Sequence, residues 1–493
     1  MNDAASALPI SPKRISAISL VLGLLAGVAL WQRLRLNFNG AYLDESDYLY
    51  VGRLLHDGKP WNTYTYVFSS HIPLHILGFG ERLGGLLGAR ALAAVLGAAS
   101  LVFFCGATRT LLGSSRVALW ALLLLSLQAP HIFISKFATY DVVSFFFFTA
   151  SLWLLVVGLE RRRLSWLWCI LASVVFATAI LCKYVVLVHA PILAIIVAVR
   201  RPKLLAAALV PCGLLLADYL HRHWPDLKQL YLNQIVGAHG KNSTRMQIAT
   251  IALSYCGPVL LVALTGLSLQ LRRVGLAWRA VRTHVFLLAL GAPLIAYHVR
   301  SADMVSMYKH MVYPLLALVP LAAWTLHRLA RRHLPLSLAV VAVLAALNLY
   351  QTRRMETAFP DLRPALEYLR PHVMPNTTIL SEEGYVFRYA FPELPGRNLF
   401  EFTWFDNDGN GEHTQQDVLD AIWDGKPDYV LTHGQITPNL TAKLRSAILP
   451  HNYRKVVERR YSLSPVMSRN TEGTVELWKR NGTYKGQYPL LGN

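Results

Sequence analysis

The chain has 493 residues, of which 54% are hydrophobic and 15% are charged. A soluble globular protein usually carries about 25% charged residues, so this composition excludes a single soluble domain and indicates helices that cross a membrane. The net charge of +20 lies in the first 351 residues, because the rest of the chain has 17 basic and 17 acidic residues. The excess falls in short tracts between apolar segments, which disfavours nucleic acid as a partner.

The apolar segments predict a polytopic α-helical membrane protein with about eleven transmembrane helices, within a range of ten to thirteen. Two pairs of segments are joined by minimal turns, which is why a range is given. The segments are at about residues 15–32, 84–106, 116–131, 137–158, 164–182, 184–199, 204–220, 247–271, 284–299, 311–329 and 335–351.

Basic residues recur in alternate connections between these segments, on the same side as Lys13 and Arg14. The positive-inside rule places that side in the cytoplasm. We therefore expect a protein of the bacterial inner (plasma) membrane with a cytoplasmic N-terminus. The outer side receives the loops 33–83, 221–246 and 300–310 and the tail from residue 352.

The tail, residues 352–493, is long enough for one small domain. Short strands at 378–380 and 428–431 and a helix at 417–423 predict a small α/β domain. The chain is thus expected to divide into a transmembrane module, residues 1–351, and an extracytoplasmic α/β domain, residues 352–493.

Three carboxylates, Asp44, Glu45 and Asp47, directly follow the first apolar segment. In a helix Asp44 and Asp47 share a face and Glu45 points elsewhere. The amphipathic stretch up to His56 indicates a helix that lies on the membrane surface. The acids either carry chemistry there or complement the dipole of the helix.

Four further residues fall on the same outer side. Asp141 opens the fourth apolar segment, where a carboxylate is costly unless it is paired or faces water. Lys183 stands between the fifth and sixth segments. The alternative to a functional role is an interfacial helix cap for Asp141 and, for Lys183, a side chain that snorkels to the headgroups. Lys309 lies in an outer loop where basic residues oppose the positive-inside bias, which suggests an anionic ligand, and His71 is ambiguous by itself.

Carboxylates and cations on one membrane face suit transfer chemistry on a lipid phosphate. A carboxylate can take a proton from an acceptor hydroxyl. Cations or a metal can stabilise the departing phosphate.

A separate pattern in the tail matches the start of a calcium-binding loop. Its oxygen ligands would be Asp406, Asp408, Asn410 and Asp417. The alternative is an Asx-rich and Gly-rich turn, followed by a capping box from Thr414 to Asp417 that opens the next helix.

These residues resemble the GT-C superfamily of polyprenyl-phosphate-sugar glycosyltransferases, and within it the branch of the protein O-mannosyltransferases and lipid A aminoarabinose transferases. That branch has an Asp-Glu pair in the first outer loop, then a Tyr, a Gly before a short spacer, and a Pro-Leu. Later it has an Asp, a Lys and a Tyr-Pro. The counterparts here are Asp44-Glu45, Tyr48, Gly58, Pro73-Leu74, Asp141, Lys183 and Tyr313-Pro314.

The resemblance implies that Asp44 is the general base and that Glu45 supports it or contacts the acceptor. It also implies a departure, because Ser70-His71 stands where the aminoarabinose branch has Glu-Lys. In that branch the Glu helps to bind a metal and the Lys contacts the donor phosphate. His71 can contact phosphate when protonated or bind a metal itself. Whether a divalent cation is bound and whether the donor carries aminoarabinose therefore both stay open, and no cofactor is firmly predicted.

The leading hypothesis is an enzyme, an inverting glycosyltransferase that moves a sugar from a polyprenyl-phosphate donor to an extracytoplasmic glycan, lipid or protein of the cell envelope. Its predicted catalytic residues are Asp44, Glu45 and Asp141, and its predicted donor-phosphate residues are His71, Lys183 and Lys309. One alternative is a transporter or flippase of a lipid-linked anionic glycan precursor, and another is a non-catalytic envelope assembly protein. The absence of a sequence repeat disfavours the transporter.

Overall fold

The computed structural model describes residues 12–42, 44–59, 70–161, 163–230, 244–274, 278–301, 304, 306–408, 411, 413–464 and 471–482. Long apolar helices form the first part of this chain, and a small sheet with short helices forms the last part. The helices of the first part are α1 Pro12–Leu34, α2 Asp44–His56, α3 His71–Leu112, α4 Ser115–Leu127, α5 Ala129–Ile134, α6 Tyr140–Glu160, α7 Ser165–Cys182, α8 Ala190–Arg200, α9 Leu205–Leu230, α10 Arg245–Val274, α11 Trp278–Ser301, α12 Met307–His310, α13 Val312–Ala330 and α14 Leu334–Glu356.

The last part is an α/β unit, as predicted. Its helices are α15 Arg363–Leu369, α16 Gly384–Ala390, α17 Gln415–Trp423, α18 Pro438–Lys443 and α19 Leu449–Asn452, and its strands are β1 Ile379–Ser381, β2 Leu399–Glu401, β3 Tyr429–Thr432, β4 Tyr453–Ser462 and β5 Glu472–Arg480. The strand order is β2-β1-β3-β5-β4. The first three strands are parallel, and β5 pairs antiparallel with β3 and β4.

Seven helices in the described part of the chain are long and apolar enough to cross a membrane. They are His71–Leu112, Tyr140–Glu160, Ser165–Cys182, Pro202–Pro225, Arg245–Arg272, Met307–Ala330 and Leu334–Glu356. All eleven segments predicted from the sequence coincide with helical chain, but the count of eleven spans stays a prediction. The division at residue 351 likewise stays a prediction.

Helix α3 is broken at Gly84 and Gly85, where the backbone leaves helical geometry and Gly85 has φ +59°. That conformation is accessible to glycine at little cost. The break separates a first arm, residues 71–83, from the apolar stretch that begins near the predicted residue 84. The first arm carries α2 on its surface.

A close contact between two glycines fixes α2 on that arm. A Cβ atom added at Gly52 would lie 2.7 Å from the carbonyl oxygen of Leu74 and 2.9 Å from the Cα atom of Gly78. Both are backbone atoms, so neither can rotate away. The absence of side chains here lets the two helices approach at backbone distance.

A buried ion pair fixes the other end of α2. The Arg90 guanidinium donates to both carboxylate oxygens of Glu45, with Nε to Oε1 at 2.9 Å and Nη2 to Oε2 at 2.6 Å, and both side chains are fully buried. The backbone N–H of Ala138 also donates to Glu45 Oε1 at 2.9 Å. Glu45 therefore joins the start of α2 to the segment that leads into α6.

Arg90 holds the chain before α2 as well. Its remaining N–H groups donate to the carbonyl oxygens of Leu36, Asn39 and Gly40 at 2.6 to 3.1 Å. Five hydrogen bonds from one buried guanidinium therefore define the path from α1 to α2. Among the described residues, Glu45 forms the ion pair that compensates the charge on Arg90.

We predict that Glu45→Gln destabilises the folded protein severely, because it leaves the buried Arg90 charge uncompensated. Loss of one partner of a buried ion pair typically costs about 3–5 kcal/mol. Thermal unfolding in detergent should show a large drop in midpoint for this variant. Asp57→Asn, an exposed position just after α2, is the matched control and should unfold like the wild type. Equal midpoints for all three proteins would contradict this role of Glu45.

Candidate functional site

Four charged side chains meet where α2, α6, α7 and α12 end or begin. They are Asp44, Asp141, Lys183 and Lys309, and all four were singled out in the sequence. Asp141 lies in the first turn of α6 and Lys183 directly follows α7. Acids at helix N-termini and cations at C-termini are stabilised by the helix dipole. The fold therefore places Asp44, Asp141 and Lys183 at helix ends that favour their charges.

The Lys309 ammonium lies between the two carboxylates. Its Nζ atom is 2.8 Å from Asp44 Oδ2 and 3.2 Å from Asp141 Oδ2. The Lys183 ammonium forms an ion pair with the other oxygen of Asp141, Oδ1. Thr139 Oγ1 donates a further hydrogen bond to Asp141 Oδ2 at 2.9 Å. Two carboxylates and two ammonium groups thus form one connected cluster.

Asp44 is the part of this cluster that an outside molecule can reach. Its side chain is 28% exposed, whereas that of Lys309 is 1% exposed and those of Asp141 and Lys183 are buried. Asp141 and Lys183 therefore lie on the buried side of the cluster. A proton exchanged with a bound molecule would pass through Asp44.

Aromatic rings border the cluster on the side of α6. The rings of Tyr48 and Tyr140 have their centroids 4.7 Å apart, and the Lys183 Nζ atom lies 4.6 Å from the centre of the Tyr140 ring. Such a cation–π contact stabilises an ammonium that is shielded from water. The sequence pattern identified Tyr48, but it gave no indication of Tyr140.

Two histidines beside Lys309 also escaped prediction as site residues. His298 Nε2 and His310 Nδ1 are 2.8 Å apart and share a hydrogen bond. Among the described residues, no hydrogen-bond partner reaches His310 Nε2, although the ring is buried. A buried ring nitrogen next to a lysine that contacts both carboxylates is a candidate contact for an anion.

The remaining predicted residues lie at different places. Glu45 is adjacent in sequence to Asp44, but both of its oxygens are engaged by Arg90, so its predicted catalytic role has no geometric support. His71 is exposed at the start of α3, with its ring centroid 6.4 Å from that of His75. The N–H of Ser70 donates to the carbonyl of Leu181 at 2.6 Å. That bond places the exposed His71 close to the end of α7 and to Lys183. We call this exposed edge of the cluster the rim.

The acidic loop of the tail lies apart from this cluster. One ligand atom from each of Asp406, Asp408 and Asp417 falls within 4.8 Å of the others, so these three can approach a common ion. The predicted capping box between Thr414 and Asp417 is present. Asn410 lies outside the described residues. Calcium binding by this loop stays a prediction.

The α/β unit packs against α2 through α16. The Arg53 guanidinium of α2 lies over the Tyr389 ring of α16 at 5.0 Å and forms an ion pair with Glu81 at 2.5 Å. Tyr42, just before α2, lies beside Glu383, just before α16. Both Tyr42 and Glu383 are buried. The tail therefore contacts the helix that carries Asp44.

Two carboxyl groups in this contact favour their neutral form. Burial raises the pKa of Glu383 well above its usual value, and the neighbouring carboxylates of Glu401, Glu382 and Asp44 raise it further. Burial also raises the pKa of Glu401 to about 7, against the opposing effect of Arg388. The proximity of Glu383 to Asp44 was not evident from the sequence, because more than 300 residues separate these two positions.

The chain is similar in fold to several solved membrane proteins, in agreement with the GT-C-like fold expected from the sequence. ArnT from Cupriavidus metallidurans bound to undecaprenyl phosphate is similar with a TM-score of 0.60 and 14% identity, over 92% of this chain and 97% of ArnT. The Archaeoglobus fulgidus oligosaccharyltransferase in complex with Zn and sulfate is similar with a TM-score of 0.52 and 14% identity, over 92% of this chain and 72% of that one.

Two further matches are a second oligosaccharyltransferase structure and a family model. AglB from Archaeoglobus fulgidus, in complex with an inhibitory peptide and a dolichol-phosphate, has a TM-score of 0.54 and 12% identity over 97% of this chain and 76% of AglB. Residues 84–213 match the model of the dolichyl-phosphate-mannose-protein mannosyltransferases, and this range includes Asp141 and Lys183. No curated protein sequence matches. With its apolar helices, the chain is an integral membrane protein of the GT-C fold.

The charged cluster offers few free ligands for a divalent cation. The acidic groups there are Asp44 and Asp141, and the oxygens that face each other already contact the Lys309 ammonium. Within the described residues, the group of three carboxylates suited to an ion is in the tail loop rather than at this cluster. The donor set around Lys309 therefore does not fit a metal ion.

We predict that part of the stability of the protein is lost as pH rises from about 4.5 to about 7, because the fold raises the pKa of Glu401. In the unfolded chain this carboxyl loses its proton near its usual pKa of 4.5, but in the fold it does so near 7. Between these values the folded state binds more protons, so the free energy of unfolding decreases with pH. Glu401→Gln should remove this part of the slope and raise the thermal midpoint at pH 8 by at least about 2 °C.

The control for this measurement is Glu393→Gln, at an exposed position of the same segment. At pH 5 the three proteins should unfold at nearly the same temperature. Parallel pH profiles of the Glu401 variant and the wild type would show that this carboxyl does not titrate in the contact.

Proposed function

We propose that this chain is an inverting glycosyltransferase that moves a sugar from a polyprenyl-phosphate donor to an acceptor hydroxyl outside the cytoplasm. The observation that carries the proposal is the cluster of Asp44, Asp141, Lys183 and Lys309, with Asp44 as its exposed member. Support comes from the GT-C fold and from the match of residues 84–213 to a protein mannosyltransferase model.

Asp44 is the general base of the proposed reaction. The acceptor oxygen forms a bond to the anomeric carbon of the sugar while its proton passes to the Asp44 carboxylate. The bond between that carbon and the phosphate oxygen breaks, and its electron pair leaves with the lipid phosphate. Attack from the side opposite the leaving phosphate inverts the configuration at the sugar.

Cations stabilise the phosphate that leaves. As the glycosidic bond breaks, negative charge grows on the phosphate oxygen, and preorganised cations stabilise such charge strongly in a site shielded from water. Lys309 and Lys183 are held for this role by the two carboxylates. His71 at the rim and the free nitrogen of His310 are further contacts in our proposal.

Asp141 is a positioning residue in this scheme. Both of its oxygens are engaged by cations, Oδ1 by Lys183 and Oδ2 by Lys309. It is buried, so it does not meet the acceptor. Its negative charge keeps two lysines protonated and correctly oriented within an apolar environment.

The proposed orientation of the protein in the membrane follows from the charge distribution of the sequence. Basic residues mark the opposite ends of the helices, which the positive-inside rule assigns to the cytoplasm. The cluster and the α/β unit then lie on the extracytoplasmic side. An acceptor on that side, either glycan, lipid or protein, would reach Asp44 beside the contact between α2 and α16.

We predict that Asp44→Asn lowers the rate of sugar transfer by about 10²–10⁴-fold, the contribution typical of general base catalysis. The assay measures transfer from a labelled polyprenyl-phosphate sugar in membranes that contain the full-length protein. The amide keeps the size of the side chain but removes a charge that compensates the buried Lys309, so the rate is expressed per amount of folded protein in the membranes. Asp57→Asn, exposed after the same helix, should retain wild-type activity.

The same assay separates the proposal from its rivals. A glycosyltransferase releases free polyprenyl phosphate in step with sugar transfer, whereas a flippase moves the intact donor and releases none. Retained transfer in Asp44→Asn would remove the assignment of the base. Movement of intact donor without free lipid phosphate would replace the enzyme with a transporter.

A further inference from the structure

The position between two facing carboxylates is the place where a divalent cation usually binds. A metal ion there would contact oxygens from both groups at about 2.0–2.6 Å. In this protein the Lys309 Nζ atom occupies that position, at 2.8 Å from Asp44 Oδ2 and 3.2 Å from Asp141 Oδ2. These are hydrogen-bond distances for an ammonium, which has three N–H donors.

The charges of the cluster are already balanced. Two carboxylates face two ammonium groups, and three of these four side chains are buried. A divalent cation added to this arrangement would leave two uncompensated positive charges in a region shielded from water. Such a charge is strongly destabilising when it is buried.

Displacement of Lys309 by a metal is also costly. Its side chain is 1% exposed, so a displaced ammonium has no path to solvent without a change in packing. Lys183 cannot make room on the other side, because it is paired with Asp141 Oδ1 and lies over the Tyr140 ring. Both oxygens of Asp141 are therefore engaged by lysines.

We propose that the Lys309 ammonium replaces a divalent cation in this site, so that the protein neither binds nor requires a metal between Asp44 and Asp141. The catalytic part of this statement rests on the proposed function. During transfer the ammonium takes the role of the metal: Asp44 becomes neutral when it takes the acceptor proton, and the positive charge that is then left in the cluster stabilises the charge that grows on the departing phosphate oxygen. The bond changes are those of the proposed reaction, and no further reactant enters.

The first test measures metal binding directly. The full-length protein in detergent is titrated with Mn²⁺, and bound ion is followed by electron paramagnetic resonance. Asp406→Asn with Asp408→Asn serves as the background for every protein, because the acidic loop of the tail would otherwise contribute its own signal. In this background we expect no bound Mn²⁺ at the cluster.

Removal of the ammonium should create a metal site. Lys309→Met removes the ammonium from the Oδ2 atoms of both carboxylates, and we expect it to bind about one equivalent of Mn²⁺ at least about tenfold more tightly than the background protein. Addition of Asp44→Asn to this variant should abolish the binding. Lys183→Met is the matched control, since it removes a lysine of the same cluster but leaves Lys309 in place, and it should bind no Mn²⁺.

The second test uses activity and keeps the two proposals distinguishable. Wild-type transfer should change less than about twofold after treatment with a chelator or addition of Mn²⁺. Loss of transfer with the chelator and recovery with Mn²⁺ would overturn the inference but leave the glycosyltransferase proposal intact. Absence of any transfer would overturn the proposed function, while the titrations would still decide the question of the metal.

Two outcomes of the titrations overturn the inference by themselves. The first is one equivalent of Mn²⁺ bound to the background protein and lost on Asp44→Asn. The second is a folded Lys309→Met protein that binds no metal. If Lys309→Met does not fold, Lys309→Arg keeps a cation in place and should bind no Mn²⁺, and binding by that variant would contradict the proposal.

Discussion

A lysine buried among apolar helices must be paired, and Lys309 satisfies this constraint with two carboxylates from distant parts of the chain. An isolated ammonium would lose its hydration without compensation, which is prohibitive in an apolar environment. Asp44 and Asp141 supply the compensation, and Lys183 balances the second carboxylate. The ends of α2, α6, α7 and α12 are therefore held together by charge as well as by packing. The site is a consequence of this requirement.

The position of Asp44 depends in turn on its neighbour. Glu45 binds Arg90 and the backbone of Ala138, so the start of α2 is fixed next to the start of α6. Farther along α2, the close approach of Gly52 to Gly78 fixes the helix on α3. One residue of the Asp-Glu pair thus serves the chemistry that we propose, and the other positions it.

All four charged residues of the cluster are recognisable in the sequence, because charges next to apolar segments stand out. Asp44, Asp141, Lys183 and Lys309 each interrupt or border a segment where charge is rare, and the spans predicted around them coincide with helices. Pairing between them was not predictable from periodicity, since it joins residues up to 265 positions apart. The same limit hides the partner of Glu45, because the pattern shows an acid but not the Arg90 that engages it.

The tail illustrates a different limit. Strands β1 and β3 and helix α17 were evident from short apolar runs and a capping box, whereas β4 is exposed along much of its length and has no clear apolar alternation. The contact between α16 and α2 was hidden for another reason. Its acids, Glu383 and Glu401, look like surface residues in the sequence, and only burial in the fold reveals that they favour the neutral form.

That neutral form matters for the charge balance of the site. Glu383 lies close enough to Asp44 for the carboxylate of Asp44 to raise its pKa. If Glu383 were ionised, three carboxylates would face two lysines, and the excess charge would repel an anionic lipid phosphate. A protonated Glu383 keeps the balance set by Lys183 and Lys309. The α/β unit can therefore pack against the proposed catalytic helix without disturbing the electrostatics on which donor binding depends.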